Sequence, residues 1–386
     1  MRQVRELHGF SDLIDFYIRD AETLRFTGFD ETTELTGTFP NFTKSMPNLR
    51  SLTFDGSGDS HFRKDRTDPF KSSIPTLTYL KLVNIPIYPS FLRLRGLTEL
   101  VLHHSCQFSL RLDTLLGLLE ENRSLKSVHL GISLTGVSSF DPPRRAAIVN
   151  QLQHLSITHK YTDHSRALLH KIPLQRGAHL EIVINTNDWN ESKEVLLGIP
   201  VAQFPILLSP ISMEYQSHKR SIQLLGPNGR FSFRSSYNNH GSPFVEFPSL
   251  PLTDVREFLL KHRGSGRSQE IYPVVFKPSV FPALEIFAID CDIQVSHLLS
   301  TLLSNPLLSP SLKTLAFLNC DLSGDSMEAL TRFASDRTKT TSAWLRRVVI
   351  VDSGGNFPSV DSINALRKHV PVVNVSVGEE LPTDLA

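Results

Sequence analysis

Large apolar residues recur along this chain in one phrase, apolar-x-x-apolar-x-apolar. LRSLTF begins at Leu49, LTYLKL at Leu77, LTELVL at Leu97, LKSVHL at Leu125 and LQHLSI at Leu152, at intervals of 28, 20, 28 and 27 residues. A second run holds VREFLL at Val255, LEIFAI at Leu284, LKTLAF at Leu312, LRRVVI at Leu345 and VVNVSV at Val372, at intervals of 29, 28, 33 and 27. AETLRF, a weaker copy, begins at Ala21, 28 residues before Leu49. The phrase alone says little, because chance yields about ten matches in a chain this long. Its regular return carries the information. Each phrase reads as a short strand. Side chains of a strand alternate, so positions 1, 4 and 6 of the phrase point inward and positions 3, 5 and 7 share the opposite face.

The segments between phrases have helical spacing. DTLLGLLEENRSL (113–125) puts Leu115, Leu116 and Leu119 on one stripe, and QVSHLLSTLLSNP (294–306) repeats the pattern with Leu298, Leu299, Leu302 and Leu303. SGDSMEALTRFASDR (323–337) opens with the capping residues Ser323 and Asp325. SVDSINALRKHVP (359–371) has Ser359 or Asp361 as its cap and Pro371 as its stop. Strand, turn, helix and return, at this period, make a leucine-rich repeat. One coil cannot bury its apolar face alone, so the coils must stack. The expected fold class is α/β: a curved leucine-rich-repeat solenoid of about twelve coils, with parallel strands on the concave face and helices and loops on the convex face. At about 4.8 Å per coil its sheet would run to about 55 Å. The expected organisation is a short segment at 1–20, one repeat domain at 21–378 and a tail at 379–386. Within the domain, 185–270 is irregular. There SIQLLGPNGRFSFRSS (221–236) reads as a hairpin about a Pro-Asn-Gly turn.

Composition narrows the partner. The 386 residues are 40% hydrophobic and 20% charged, with a formal net charge of +1. This is an ordinary soluble composition. A near-zero balance gives no electrostatic reason to expect nucleic acid or an anionic membrane. Three scattered cysteines, Cys106, Cys291 and Cys320, do not make a disulfide framework and fit a reducing compartment, cytoplasmic or nuclear. The first twenty residues have charges throughout and no apolar h-region. The apolar run 195–211 is broken by Pro200, Pro205 and Pro210, which a spanning helix would rarely tolerate.

The irregular coils of roughly 27 residues, the run KIPLQRGAHLEIVI (171–184) and the phrase PLTDVREFLL (251–260) resemble the leucine-rich portion of fungal, mushroom-type F-box-like proteins. The resemblance spans about 20–380. It implies a protein-binding solenoid that presents substrates to a cullin-type (SCF) ubiquitin ligase. In that family an amino-terminal F-box docks to a Skp-type adaptor. The first twenty residues lack the Leu-Pro opening and later tryptophan of an F-box, so the resemblance is to the repeat portion only. A Skp-type adaptor is an expected partner only if an F-box lies upstream. The alternatives are a general scaffold or binding protein unrelated to ubiquitin, and an enzyme with a site in 185–270.

No HExxH, G-x-S-x-G or P-loop occurs in the sequence, and no catalytic residue, cofactor or metal is expected. His103, His129 and His154 fall at positions 7, 5 and 3 of consecutive coils, diagonally across the concave face near Tyr79, Lys81 and Glu99. Coils about 4.8 Å apart make three nitrogens on one metal at about 2 Å a poor fit, so a polar recognition patch is the better reading. In the carboxy-terminal coils the same positions read Ile286, Ala288, Asp290; Thr314, Ala316, Leu318; and Arg347, Val349, Val351, with Leu259 continuing the row. This is an expected apolar patch, open to a partner or covered by the tail or a loop. The expected partner is a protein. Cys320 occupies the repeat's asparagine-or-cysteine position, where a structural bond to the turn is expected.

Overall fold

The computed structural model describes residues 21–29, 46–56, 74, 76–85, 87, 91–103, 109–136, 149–159, 162–185, 194–196, 198–216, 221–235, 250, 252–262, 281–291, 295, 310–322, 324–340, 344–352 and 357–377. The chain divides into two compact units, Met1–Phe204 and Pro205–Ala386.

In the first unit the phrases become β1 (Thr23–Phe29), β2 (Ser51–Gly56), β3 (Tyr79–Val83), β4 (Glu99–His103), β6 (Ser127–Gly131), β8 (His154–His159) and β9 (His179–Ile184). These seven run parallel, each beside the next. Two short strands, β5 (Ser109–Arg111) and β7 (Ser133–Thr135), pair parallel as a separate ribbon. Helix α1 (Leu112–Glu121) returns the chain between β5 and β6, and α2 (Thr162–Lys171) between β8 and β9. The register sets position 4 of each phrase in one row: Leu24, Leu52, Leu80, Leu100, Val128, Leu155 and Leu180. All seven are at or below 2% exposure, so the row is a dry spine. Position 6 makes a second row, in which Phe26 stacks on Phe54 at 5.0 Å.

In the second unit β10 (Ser212–Gln216), β13 (Glu257–His262), β14 (Ile286–Cys291), β15 (Thr314–Leu318), β16 (Arg347–Asp352) and β17 (Val372–Val377) run parallel. The expected hairpin is present as β11 (Ser221–Gly226) and β12 (Gly229–Ser235), with Gly226 opposite Gly229. It extends the sheet by pairing β11 antiparallel to β10. Helices α3 (Asp325–Thr340) and α4 (Val360–Arg367) form where helical spacing predicts them. Ser359 caps α4, its hydroxyl accepting from the Ser362 N–H at 3.2 Å. The helix expected at 294–306 lies mostly outside the described residues, as do 1–20 and 379–386. The proline-broken run near 195–211 forms 3₁₀ turns at Val201–Gln203 and Pro205–Leu207. Among the described residues no helix is long and apolar enough to cross a membrane.

A backbone fork repeats in both units. The carbonyl at position 2 of one coil accepts from the N–H groups at positions 2 and 3 of the next. Glu22 O takes Arg50 and Ser51, Arg50 O takes Thr78 and Tyr79, and Thr98 O takes Lys126 and Ser127. In the second unit Ile211 O takes Arg256 and Glu257, and Glu285 O takes Lys313 and Thr314. The fork satisfies backbone groups just before the ladder begins. It also identifies PISMEY, starting at Pro210, as a coil: Met213 and Tyr215 stand where leucine is usual, both at 2% exposure or less. Position 8 carries asparagine in the left-handed region in both units, Asn84 at φ 53° and Asn319 at φ 55°. Each donates its N–H to the next coil, Asn84 to His103 O and Asn319 to Val351 O, both at 2.7 Å.

Candidate functional site

The outward strand face is built by positions 3, 5 and 7. In the first unit it is polar and half-buried. Tyr79 on β3 lies directly across from Glu99 on β4, with Lys81 and His103 further along the same two strands. Val101 pairs with His129 on β6, and Ser127 with His154 on β8. The structure therefore brings Tyr79, Lys81, Glu99, His103, His129 and His154 together on four neighbouring strands, in the expected diagonal. Burial, and then the Glu99 carboxylate, push the Tyr79 phenol up, while Arg25 opposes the shift.

The diagonal continues into a residue that sequence spacing did not place. His154 pairs with His179 on β9, and their rings stack face to face, 4.6 Å apart and 2° from parallel. His129 meets the edge of His154 at 4.7 Å. Glu181 stands across from Ser156 and accepts its hydroxyl hydrogen bond at 2.8 Å. Ser127 Oγ and His129 Nε2 are hydrogen-bonded at 3.0 Å. His103 lies over Gly131, where an added Cβ would stand 2.6 Å from its Nδ1. A side chain at 131 would push that ring away. The phrase of His179 opens with Gly177, where most of the others open with leucine, so its spacing gives no signal.

The imidazoles of His103, His129 and His154 are held towards the neutral form. Burial lowers the pKa of His129 first; His103 and His179 push it further down, and Glu181 pulls it back. For His154 burial comes first, then His129, again against Glu181. For His103 burial comes first and the Lys81 cation second. The Nε2 of His154 is shut off from solvent, without a hydrogen-bond partner among the described residues. A second pair sits at the end of β8. His159 is 4% exposed, 5.1 Å from the His164 ring on α2, and burial drives its pKa to about 3. Among the described residues no three His, Cys, Asp or Glu gather in a way that could hold a metal ion.

The second unit differs. The register places Leu259, Ala288, Ala316 and Val349 in one outward row, with Ile286 and Arg347 in the row before it and Leu318 and Val351 in the row after. That is the arrangement expected, but the open surface is not found. Ala288 and Leu318 keep 5% exposure, Val351 1%, and Ala316 and Val349 none; Leu259 packs against them. Ile286 and Arg347 are half-buried at the margin. A contiguous apolar face of this kind is costly in water, and here it is closed into a second core. Strands β14 to β16 are buried on both faces. Their sequences IFAIDC, TLAFL and RVVIVD are accordingly near-continuous apolar runs, unlike the alternating ELVLH and SVHLG of β4 and β6. The closed side chains Ala288, Leu318, Val349 and Val351 are not available to a partner in this structure.

Cys320 takes the structural place expected of it. Its Sγ contacts Ile289 O at 3.4 Å and Leu318 O at 3.3 Å, and Cys291 Sγ at 3.5 Å. Burial, and then the bond to Cys291, push the Cys320 thiol up, away from the reactive thiolate.

No protein-family model matches the chain, and no curated protein is similar to it. Among solved structures, the chain is similar to the leucine-rich repeat-containing protein LegL7 from Legionella pneumophila, with 12% identity over 94% of each chain and a TM-score of 0.27. At that score the likeness decides nothing. The repeat reading rests on the rows, the forks and the parallel register described above.

Proposed function

We propose that this chain is a non-catalytic protein-recognition repeat, read as a leucine-rich-repeat solenoid, and that the outward strand face of its first unit takes the partner. The observation that carries the reading is the contrast between the two faces of that unit's sheet. Its inward rows are dry. Its outward rows hold Tyr79, Lys81, Glu99, His103, His129 and His154 half-buried and in register, with polar groups that a partner can meet. Rigid strands preorganise those groups, which lowers the ordering cost of binding. The finer role follows the fungal F-box-like resemblance: substrate recognition for a cullin-type ubiquitin ligase, in the cytoplasm or nucleus, with a Skp-type adaptor as partner only if an F-box is encoded upstream.

Affinity capture with the full chain, followed by mass spectrometry, tests both levels. A partner retained by the native chain and lost by the Lys81→Glu/Glu99→Lys variant supports the recognition face. A partner set unchanged by that variant overturns it. Recovery of cullin-ligase subunits supports the ligase role. Their reproducible absence removes that role and leaves the general binder.

A further inference from the structure

The outward face of the first unit carries an unusual charge balance. Its fixed charges, among the described residues, are two cations, Arg25 and Lys81, and three carboxylates, Asp55, Glu99 and Glu181. With neutral imidazoles the face has a formal charge of −1. Four histidines share it: His103, His129, His154 and His179. Protonating all four adds four charges and turns the face to +3. The cluster is compact, with successive rings of His129, His154 and His179 4.7 Å and 4.6 Å apart. Charging it brings cations together on adjacent strands, and that repulsion is relieved by an incoming anion.

We propose that this face is an acid-gated docking surface for a carboxylate-rich protein segment, engaged when the histidine cluster protonates and released when it discharges. The proposal rests on the recognition role assigned to the same face above, and adds the partner's chemistry and its control. Lys81 and Arg25 extend the positive field on β3 and β1. Glu99 on β4 and Glu181 on β9 repel the acidic segment at neutral pH. On acidification Glu181 supports the protonated state of its neighbours His129 and His154. Burial sets the gate below the ordinary histidine range of about 6.5. A bound carboxylate favours the charged imidazole, so binding and protonation are linked and each promotes the other. The absence of a side chain at Gly131 lets His103 lie across the sheet towards this cluster, where a Cβ at 131 would push it away.

The test uses a fluorescent oligo-aspartate peptide as probe and an oligo-lysine peptide as control, titrated against the full chain at about pH 7.5 and about pH 5, where aspartate is still ionised. Circular dichroism at both pH values monitors the fold. Oligo-aspartate is expected to bind at least about tenfold more tightly at the lower pH, and oligo-lysine not to gain. The His129→Gln/His154→Gln variant is expected to lose the acid gain. The His129→Lys/His154→Lys variant is expected to bind oligo-aspartate at about pH 7.5 without acid, which keeps the test valid if the fold weakens at low pH. Equal affinity at both pH values, or a lysine variant no better than the native chain at neutral pH, overturns the proposal. A captured partner that depends on Lys81 and Glu99 yet ignores pH and both histidines would leave the recognition face standing and sink the acid gate alone.

Discussion

Asn122 shows how single polar side chains hold one coil to the next. It ends α1, is fully buried, and is the residue of an Asn-Arg-Ser sequence. Its Nδ2 donates to Leu94 O at 3.0 Å and Leu118 O at 2.8 Å, and its Oδ1 accepts from the Leu97 N–H at 3.0 Å. One amide thereby satisfies a helix end and the start of a strand phrase in the preceding coil. Arg337 does related work from α3, donating to Leu312 O at 3.0 Å with its side chain wholly buried. Asn122→Ala takes a partner from one buried N–H and two carbonyls together, and is expected to cost roughly 2–4 kcal/mol. Urea unfolding read by circular dichroism checks it, and a loss below about 1 kcal/mol would show that water or a neighbour replaces the amide. None of these contacts was legible in the sequence. An asparagine after a helix suggests a cap, but its partners lie 25 and 28 residues away and depend on how the coils stack.

From one strand to another, the same phrase position meets two environments. Position 5 is Val101 on β4, half-buried at the polar face, and Val349 on β16, with no exposure at all. Val349→Ala removes two buried methyl groups and leaves a void, an expected loss of about 2 kcal/mol. Val101→Ala is expected to cost less than Val349→Ala, about 1 kcal/mol, because part of its surface is wet already and no sealed void is left. Paired urea midpoints decide between this and a uniformly open face, for which the two losses would match. The strands themselves were readable wherever leucine or valine filled the phrase. β10 was not, because proline, methionine and tyrosine replace the usual residues at 210, 213 and 215. The closure over β14 to β16 had a signal, the loss of alternation in IFAIDC and TLAFL, which the phrase-by-phrase reading passed over by treating every outward position alike.

For the molecule as a whole, stacked coils touch chiefly their neighbours, so local stability need not be uniform along the chain. Acid acts on this unevenly. The described histidines with depressed pKa values, His103, His129, His154, His159 and His164, all lie in the first unit. Among these His159 has the largest shift, to about 3, and its buried Nε2 has no hydrogen-bond partner among the described residues. The folded state keeps this imidazole neutral, whereas the unfolded chain takes up its proton below about 6.5. The unfolded state then holds more protons, so stability is complete above about pH 6.5 and falls as the pH drops towards 3, by up to about 1.4 kcal/mol per pH unit for this one group. The first unit is therefore expected to lose hydrogen-exchange protection at β6, β8 and β9 on acidification before β14 to β16 do, once intrinsic exchange rates are corrected for pH. His159→Leu should flatten that dependence at β8 and leave β14 to β16 unchanged, since it removes the titrating group and keeps an apolar body in the same place. Equal acid sensitivity in both sets of strands, or an undiminished slope in the leucine variant, would mean that carboxylate protonation rather than the buried imidazole governs the loss. The same linkage separates two uses of histidine in one unit. Buried His159 makes acid chiefly a threat to the fold, while the half-buried rings of the outward face, shifted in the same direction, stand where a partner's carboxylates can meet them.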